Sequence, residues 1–278
     1  MKIRSKKIYL MSKIVEFIKK HIIRFVENRG YLITRKTKRD ELEQLISQLH
    51  PIKADKGLIR IGPNGDGGYL LPDDLDGINA CFSAGIGFTS LFELDLARSG
   101  LKIFLADKSV DGPAENHELF TFTKSFIGAR SNKDFIRLDD WVSKSGLDEQ
   151  SELILKMDIE GAEYETFISV TSQLLKRFRI IIVEFHGLHN LWNKPYFSLA
   201  SVAFNRILEN HKCVHIHPNN VGAYSEKDGI AIAEIMEFTF IRKDRIHNAE
   251  FEHEFPNVLD YDNSVNRPVV LPSNWHGS

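Results

Sequence analysis

The chain has 278 residues, 42% hydrophobic and 10% aromatic, with 36 Lys and Arg against 38 Asp and Glu. It is too apolar to be disordered, and its length suits one large domain with an appendage. Two cysteines, Cys81 and Cys213, exclude a disulfide framework and a four-thiolate zinc site; both begin apolar runs and read as buried thiols, in keeping with a reducing compartment.

The near-neutral total hides an asymmetry. Residues 1–39 carry 13 Lys and Arg against only Glu16 and Glu27, and the remainder is acidic. No segment approaches the roughly 20 apolar residues of a transmembrane helix, and the apolar core of a secretory signal is also absent. Met11, Ile14, Val15, Ile18, Ile22, Phe25 and Val26 recur at helical spacing, with Lys13, Glu16, Lys19, Lys20 and Arg24 between them. This predicts a basic amphipathic helix or arm over 1–39. Its expected partner is an anionic membrane surface, with packing on the domain or on a second copy in a homo-oligomer as the alternative. Nucleic acid is not expected, since the rest of the chain is acidic and has no basic–aromatic platform.

Residues 40–247 read as the main domain. A helix over Asp40–His50 ends at Pro51, and two short extended runs over 60–71 flank the glycine-rich turn Gly65–Gly68. Strands follow at Ala80–Ala84, Lys102–Ala106, Thr121–Ile127, Leu153–Met157, Ile180–Phe185, Cys213–His217 and Ile235–Ile241. Helices are expected at Ser90–Ser99, Asp139–Lys144, Gly161–Leu175 and Phe197–Asn210. This alternation predicts a Rossmann-like α/β domain, a mostly parallel sheet with helices on both faces. The last two strands, joined by the loop 218–229, would close it as an antiparallel hairpin. Residues 248–278, with Pro256, Pro268 and Pro272, read as an irregular tail.

In open α/β sheets a ligand binds at the carboxyl ends of the strands. The first strand runs into Ser83-Ala-Gly-Ile-Gly-Phe-Thr-Ser90, where Gly85 and Gly87 allow a tight turn and close approach of a ligand. The third glycine of the dinucleotide fingerprint is missing. The second strand ends at Asp107, placed to accept hydrogen bonds from both hydroxyls of a ribose. The fourth strand emerges as Lys156, Asp158 and Glu160 with a period of two, whereas Glu163 reads as an ordinary acid at a helix N-terminus.

Leu155-Lys-Met-Asp-Ile-Glu-Gly-Ala-Glu163, preceded by Leu138-Asp-Asp-Trp-Val142 and followed by Ile182-Val-Glu-Phe-His186, resembles the signature of the FkbM-type methyltransferases. These are a branch of the class I S-adenosylmethionine-dependent enzymes, and the resemblance runs from about Arg60 to Lys243. It implies O-methylation of a hydroxyl on a sugar, glycolipid or other glycoconjugate. By the same resemblance, Ser83, Gly85 and Gly87 would hold the amino-acid moiety of S-adenosylmethionine, Asp107 its ribose, and Asp66 and Tyr69 would close over cofactor or substrate. The chain departs from most relatives at the turn itself, which lacks their acid and Ala-Asn.

The reaction needs a base for the hydroxyl proton or a metal to acidify it. Asp158, His186 and His217 are the candidate catalytic residues, with either histidine as the base or all three around a divalent ion. Glu184, His215, Asn219 and Asn220 end neighbouring strands; Lys156 and Glu237 are supporting candidates, and Trp192 and Tyr196 offer flat faces for a sugar ring. The expected location is cytoplasmic, at the inner membrane face where lipid-linked glycans are assembled. The competing readings are a nicotinamide-dependent oxidoreductase, disfavoured by the incomplete glycine fingerprint, and an inactive binding module.

Overall fold

The computed structural model describes residues 2–277. Seven strands form the central sheet: β1 (Ile78–Ala84), β2 (Lys102–Ala106), β3 (Phe120–Thr123), β4 (Glu152–Met157), β5 (Phe178–Phe185), β6 (His211–Pro218) and β7 (Met236–Arg242). Their spatial order is β6-β7-β5-β4-β1-β2-β3. Pairings from β3 through β5 are parallel, whereas β7 is inserted antiparallel between β5 and β6. Strands buried on both sides need apolar residues at successive positions, and Ile180–Val183 supplies such a run.

Alternation sorts each strand's side chains between two cores. Phe82, Leu155, Val183 and Phe238 face the larger one. It is covered by α2 (Arg39–Gln48), α4 (Leu138–Lys144), α5 (Glu163–Ser169) and α7 (Lys194–Leu208), the first helix, Lys2–Glu27, being α1. Cys81, Ile154 and Ile182 face the other side, where α3 (Leu91–Arg98) shares the cover with a hairpin, Leu58–Ile61 paired with Tyr69–Pro72. The second face is therefore only partly helical. The Thr239 hydroxyl donates to the carbonyl of Leu70 at 2.6 Å and ties that hairpin to the sheet.

Three elements differ from expectation. The strand expected over 121–127 stops at Thr123, and residues 126–128 pair instead with 135–137 in a small parallel ladder. The helix expected over 161–175 is broken by extended Val170; α6 (Ser172–Leu175) then starts with the Thr171 hydroxyl as its cap. The β6–β7 connection contains its own hairpin, Tyr224–Lys227 with Ile230–Ala233, turned by Asp228 and Gly229, both at positive φ. The tail packs against the β6–β7 edge and buries Trp275.

Candidate active site

A cleft of about 380 Å³ opens at the carboxyl ends of β1, β2 and β4. This is within the size range of small-molecule sites. Gly85, Asp107, Ser109 and Asp158 line one part, and Phe126, Ile127 and Phe135 supply apolar walls. Gly85 is required by its position: φ is +78°, and a Cβ there would lie 1.6 Å from the carbonyl oxygen of Asp158. The β1 and β4 turns can touch only through a residue without a side chain.

Asp107 accepts hydrogen bonds from the Ile86 amide at 3.2 Å and from the Ser109 amide and hydroxyl at 2.7 and 2.6 Å. Three of its roughly four acceptor positions are thereby filled, which leaves room for one ligand hydroxyl rather than two.

Beyond Gly85 the floor is charged. The Lys156 ammonium donates to the Gly85 carbonyl at 2.6 Å. Asp158 follows on the same side of β4, and Glu160 then adopts a left-handed conformation, φ +56°. Such a backbone costs a non-glycine residue about 1–3 kcal/mol and clusters at functional sites. The turn is held by fully buried Glu163, whose Oε1 accepts from the amides of Ile159 and Gly161, both at 3.1 Å.

The same oxygen lies 3.1 Å from Nδ1 of His186. The other ring nitrogen faces Glu184 at 3.4 Å, Glu160 at 3.5 Å and Asp158 at 3.9 Å. The hydroxyls of Tyr164 and Tyr196 both donate to the His186 carbonyl at 2.9 Å and fix its backbone.

Burial alone would lower the His186 pKa, but the bond and charge of Glu163, with Glu184 and Asp158, outweigh it and raise the value to about 9. His186 is a cation at neutral pH. Burial raises the carboxyl of Asp158 above the ordinary aspartate value despite the opposing charges of Lys156 and His186. Burial, Asp158 and Glu237 likewise raise Glu184.

The expected residues separate into two groups. Gly85, Asp107, Asp158 and His186 meet at or beside the cleft. Ser83 does not: it is fully buried and its hydroxyl is committed to Glu93. Gly87 and Asp66 are exposed and outside the cleft lining, although a Cβ on neighbouring Gly67 would meet Thr89 of the glycine turn. The Tyr69 ring is buried, with the Lys156 ammonium 5.5 Å from its centre.

His217 lies two strands beyond His186, because β7 intervenes and sets Glu237 between Glu184 and His217. Its ring is buried 3.6 Å from Asp260 of the tail, which also binds His215 at 2.9 Å. The arrangement expected around a metal is corrected accordingly. Asp158, Glu160 and His186, not His217, each present a ligand atom within 4.8 Å of the others.

Asn219 faces Glu184, Asn263 donates to Glu237, and Asn220 fastens the tail at Ser264 and Asn266. Trp192 is buried beneath Lys36, so its face is closed to a sugar.

Glu163 and the aromatic wall were not anticipated. An acid at a helix N-terminus reads the same whether exposed or buried, so Glu163 gave no separate signal. Phe126 and Phe135 come together only through the small parallel ladder, for which sequence spacing offers no cue.

The Glu163 carboxylate holds the His186 ring through the 3.1 Å contact with Nδ1, and a role for His186 as a cation would depend on it. Glu163→Gln retains an acceptor for the two backbone amides and removes the charge. The alkaline limit of activity should then fall by about one to two pH units. A pH–rate profile measures this; an unmoved limit would confine Glu163 to holding the turn.

A cleft at the strand ends with a glycine cradle, a carboxylate at the β2 terminus and aromatic walls is the place where open α/β sheets take up nucleoside-type ligands. The model of the methyltransferase FkbM domain matches residues 71–212, just over half of the chain. The chain belongs to the FkbM methyltransferase family and is a methyltransferase, a class whose usual methyl donor is S-adenosylmethionine. No curated protein matches it significantly.

Similar solved structures include a putative methyltransferase from an antibiotic biosynthesis pathway of Anabaena variabilis, with 10% identity and a TM-score of 0.28. The match covers 51% of this chain and 60% of that protein. A 16S rRNA (adenine(1408)-N(1))-methyltransferase mutant from Catenulisporales acidiphilia matches at 8% identity and a TM-score of 0.29, over 70% of this chain and all of the other. An antibiotic-related methyltransferase matches at 10% and 0.26, over 75% and 95%.

Proposed function

We propose that the protein transfers a methyl group from S-adenosylmethionine to a hydroxyl of a sugar or glycoconjugate, with Asp158 as the base. The observation that carries this reading is the juxtaposition of Gly85, Asp107 and Asp158 around one cleft, with His186 behind Asp158. Gly85 provides the cradle, Asp107 the remaining acceptor for a ribose hydroxyl, and Phe126 and Phe135 apolar faces for the base. The bound cofactor supplies a methyl group made electrophilic by its sulfonium.

Asp158 would take the hydroxyl proton as the acceptor's oxygen bonds to the methyl carbon and the carbon–sulfur bond breaks, the sulfonium leaving as a neutral thioether. The raised pKa brings that carboxylate closer to the strength a general base needs. The imidazolium of His186 offsets the crowding of Asp158, Glu160, Glu163 and Glu184. The roles expected of the histidines thus become charge balance for His186 and tail contact for His217. The family's usual substrates support a carbohydrate acceptor.

The test is transfer of labelled methyl from S-adenosylmethionine to a panel of soluble and lipid-linked glycans, with proteins and small phenols as comparison acceptors. Label in phenols or protein alone would replace the carbohydrate reading.

The grouping of Asp158, Glu160 and His186 favours a second mechanism, in which a divalent ion there acidifies the acceptor. Turnover retained in EDTA keeps Asp158 as the unaided base. Loss restored by magnesium or manganese selects the metal.

A further inference from the structure

The α1 helix spans Lys2–Glu27, about 39 Å at 1.5 Å per residue. Met11, Ile14, Val15, Ile18, Ile22 and Phe25 fall on one stripe, and each is between 49% and 62% exposed. Burying an apolar stripe of this kind is what stabilises an amphipathic helix in water, so the face calls for an occupant. Tyr31, Leu32 and Ile33 continue the exposed apolar surface into the linker.

The linker ends at a fixed foot. Thr37 donates through its amide to the Trp192 carbonyl at 2.8 Å and through its hydroxyl to that of Leu191 at 2.7 Å; the Lys194 amide donates to the Arg35 carbonyl at 2.8 Å. The segment it grips, the 3₁₀ turn Leu188–Trp192, begins two residues after His186. The helix is thus tethered on the active-site edge of the sheet. Among the described residues, no helix is long and apolar enough to cross a membrane.

We propose that α1 is a docking helix that lies in the headgroup layer of an anionic lipid bilayer and holds the active-site edge toward it. Charge selects this occupant. The eight basic residues of α1, against its two acids, complement anionic headgroups. Pairing the helices of two copies would instead set like charges together. The apolar stripe enters the acyl boundary while Lys20 and Arg24, on the polar side, stay among the phosphates.

The experiment is sedimentation of the full chain with vesicles of phosphatidylcholine, with and without phosphatidylserine. Wild type should bind the anionic vesicles at least about tenfold more tightly, with affinity falling as salt rises. Ile18→Asp combined with Ile22→Asp should abolish binding, and Lys20→Glu with Arg24→Glu should weaken it about tenfold or more. Retained S-adenosylhomocysteine binding by both variants, read calorimetrically, shows that the domain is folded. It also keeps the result independent of the proposed reaction. Equal binding to neutral vesicles, or binding unchanged by the paired aspartates, overturns the proposal. So does a concentration-dependent dimer without lipid affinity that those aspartates dissolve, which would make a second copy the occupant.

Discussion

Asp158→Asn is expected to lower turnover by about 10²–10⁴-fold, the usual contribution of a general base, while leaving S-adenosylhomocysteine affinity essentially unchanged. The substitution is nearly isosteric, and the Asp158 amide still donates to the Ala84 carbonyl, a bond of 3.0 Å. Calorimetry and single-turnover methyl transfer on the same preparation separate binding from chemistry. If both vanish together, Asp158 belongs to the cofactor contacts; if neither changes, it is not the base.

The wild-type pH profile tests the same assignment. In the proposed mechanism activity would require Asp158 ionised and His186 protonated. The rate should therefore rise with pH through an apparent pKa above that of an ordinary aspartate, then fall as pH passes about 9. In Asp158→Asn the acid limb should disappear and the alkaline limb should move, because one of the anions that raise the His186 pKa has been removed.

Gly85→Ala is the second variant with a large expected effect. The added methyl would stand 1.6 Å from the Asp158 carbonyl oxygen, a backbone atom that moves only if the β1 and β4 turns part. The left-handed backbone adds about 1–2 kcal/mol for a residue with a Cβ, and overpacking a further 1–3 kcal/mol. We expect a melting temperature lower by roughly 4–20 °C and loss of S-adenosylhomocysteine binding, since the displaced turns form the cleft wall. Gly87→Ala is the comparison. Its φ is also positive, +20°, but a Cβ there meets nothing within 4 Å, so it should lose only the backbone contribution, about 1–2 kcal/mol, without the overpacking. Equal thermal losses in the two variants would refute the close-approach account of Gly85.

Much of this architecture is legible in the sequence because parallel strands buried on both faces leave nearly continuous apolar runs. The four central strands and the emergence of Lys156 and Asp158 from one of them can be read that way. Strand order cannot. His186 and His217 each end a strand and look like neighbours, but insertion of β7 separates them and puts the buried carboxylate of Glu237 between the strands that carry them. Nor does periodicity distinguish Glu163, whose role depends on a histidine 23 residues away. Ser83 fails as a site residue for a different reason: it lies within β1, where its hydroxyl points to a helix acid rather than the cleft mouth.

The sheet order has a consequence for biosynthesis. Gly85, Asp107, Asp158 and His186 come from the ends of four strands that must be aligned in register, and the hairpin of Leu58–Ile61 and Tyr69–Pro72 is tied to Thr239 on β7. Chain synthesis therefore proceeds well past the last cleft residue before the sheet is complete, and a nascent chain stalled before β7 has neither that tie nor a covered β5 edge. Such chains would expose the long apolar run of β5 to chaperones. A ligand that binds only the assembled cleft would stabilise finished molecules without rescuing unfinished ones.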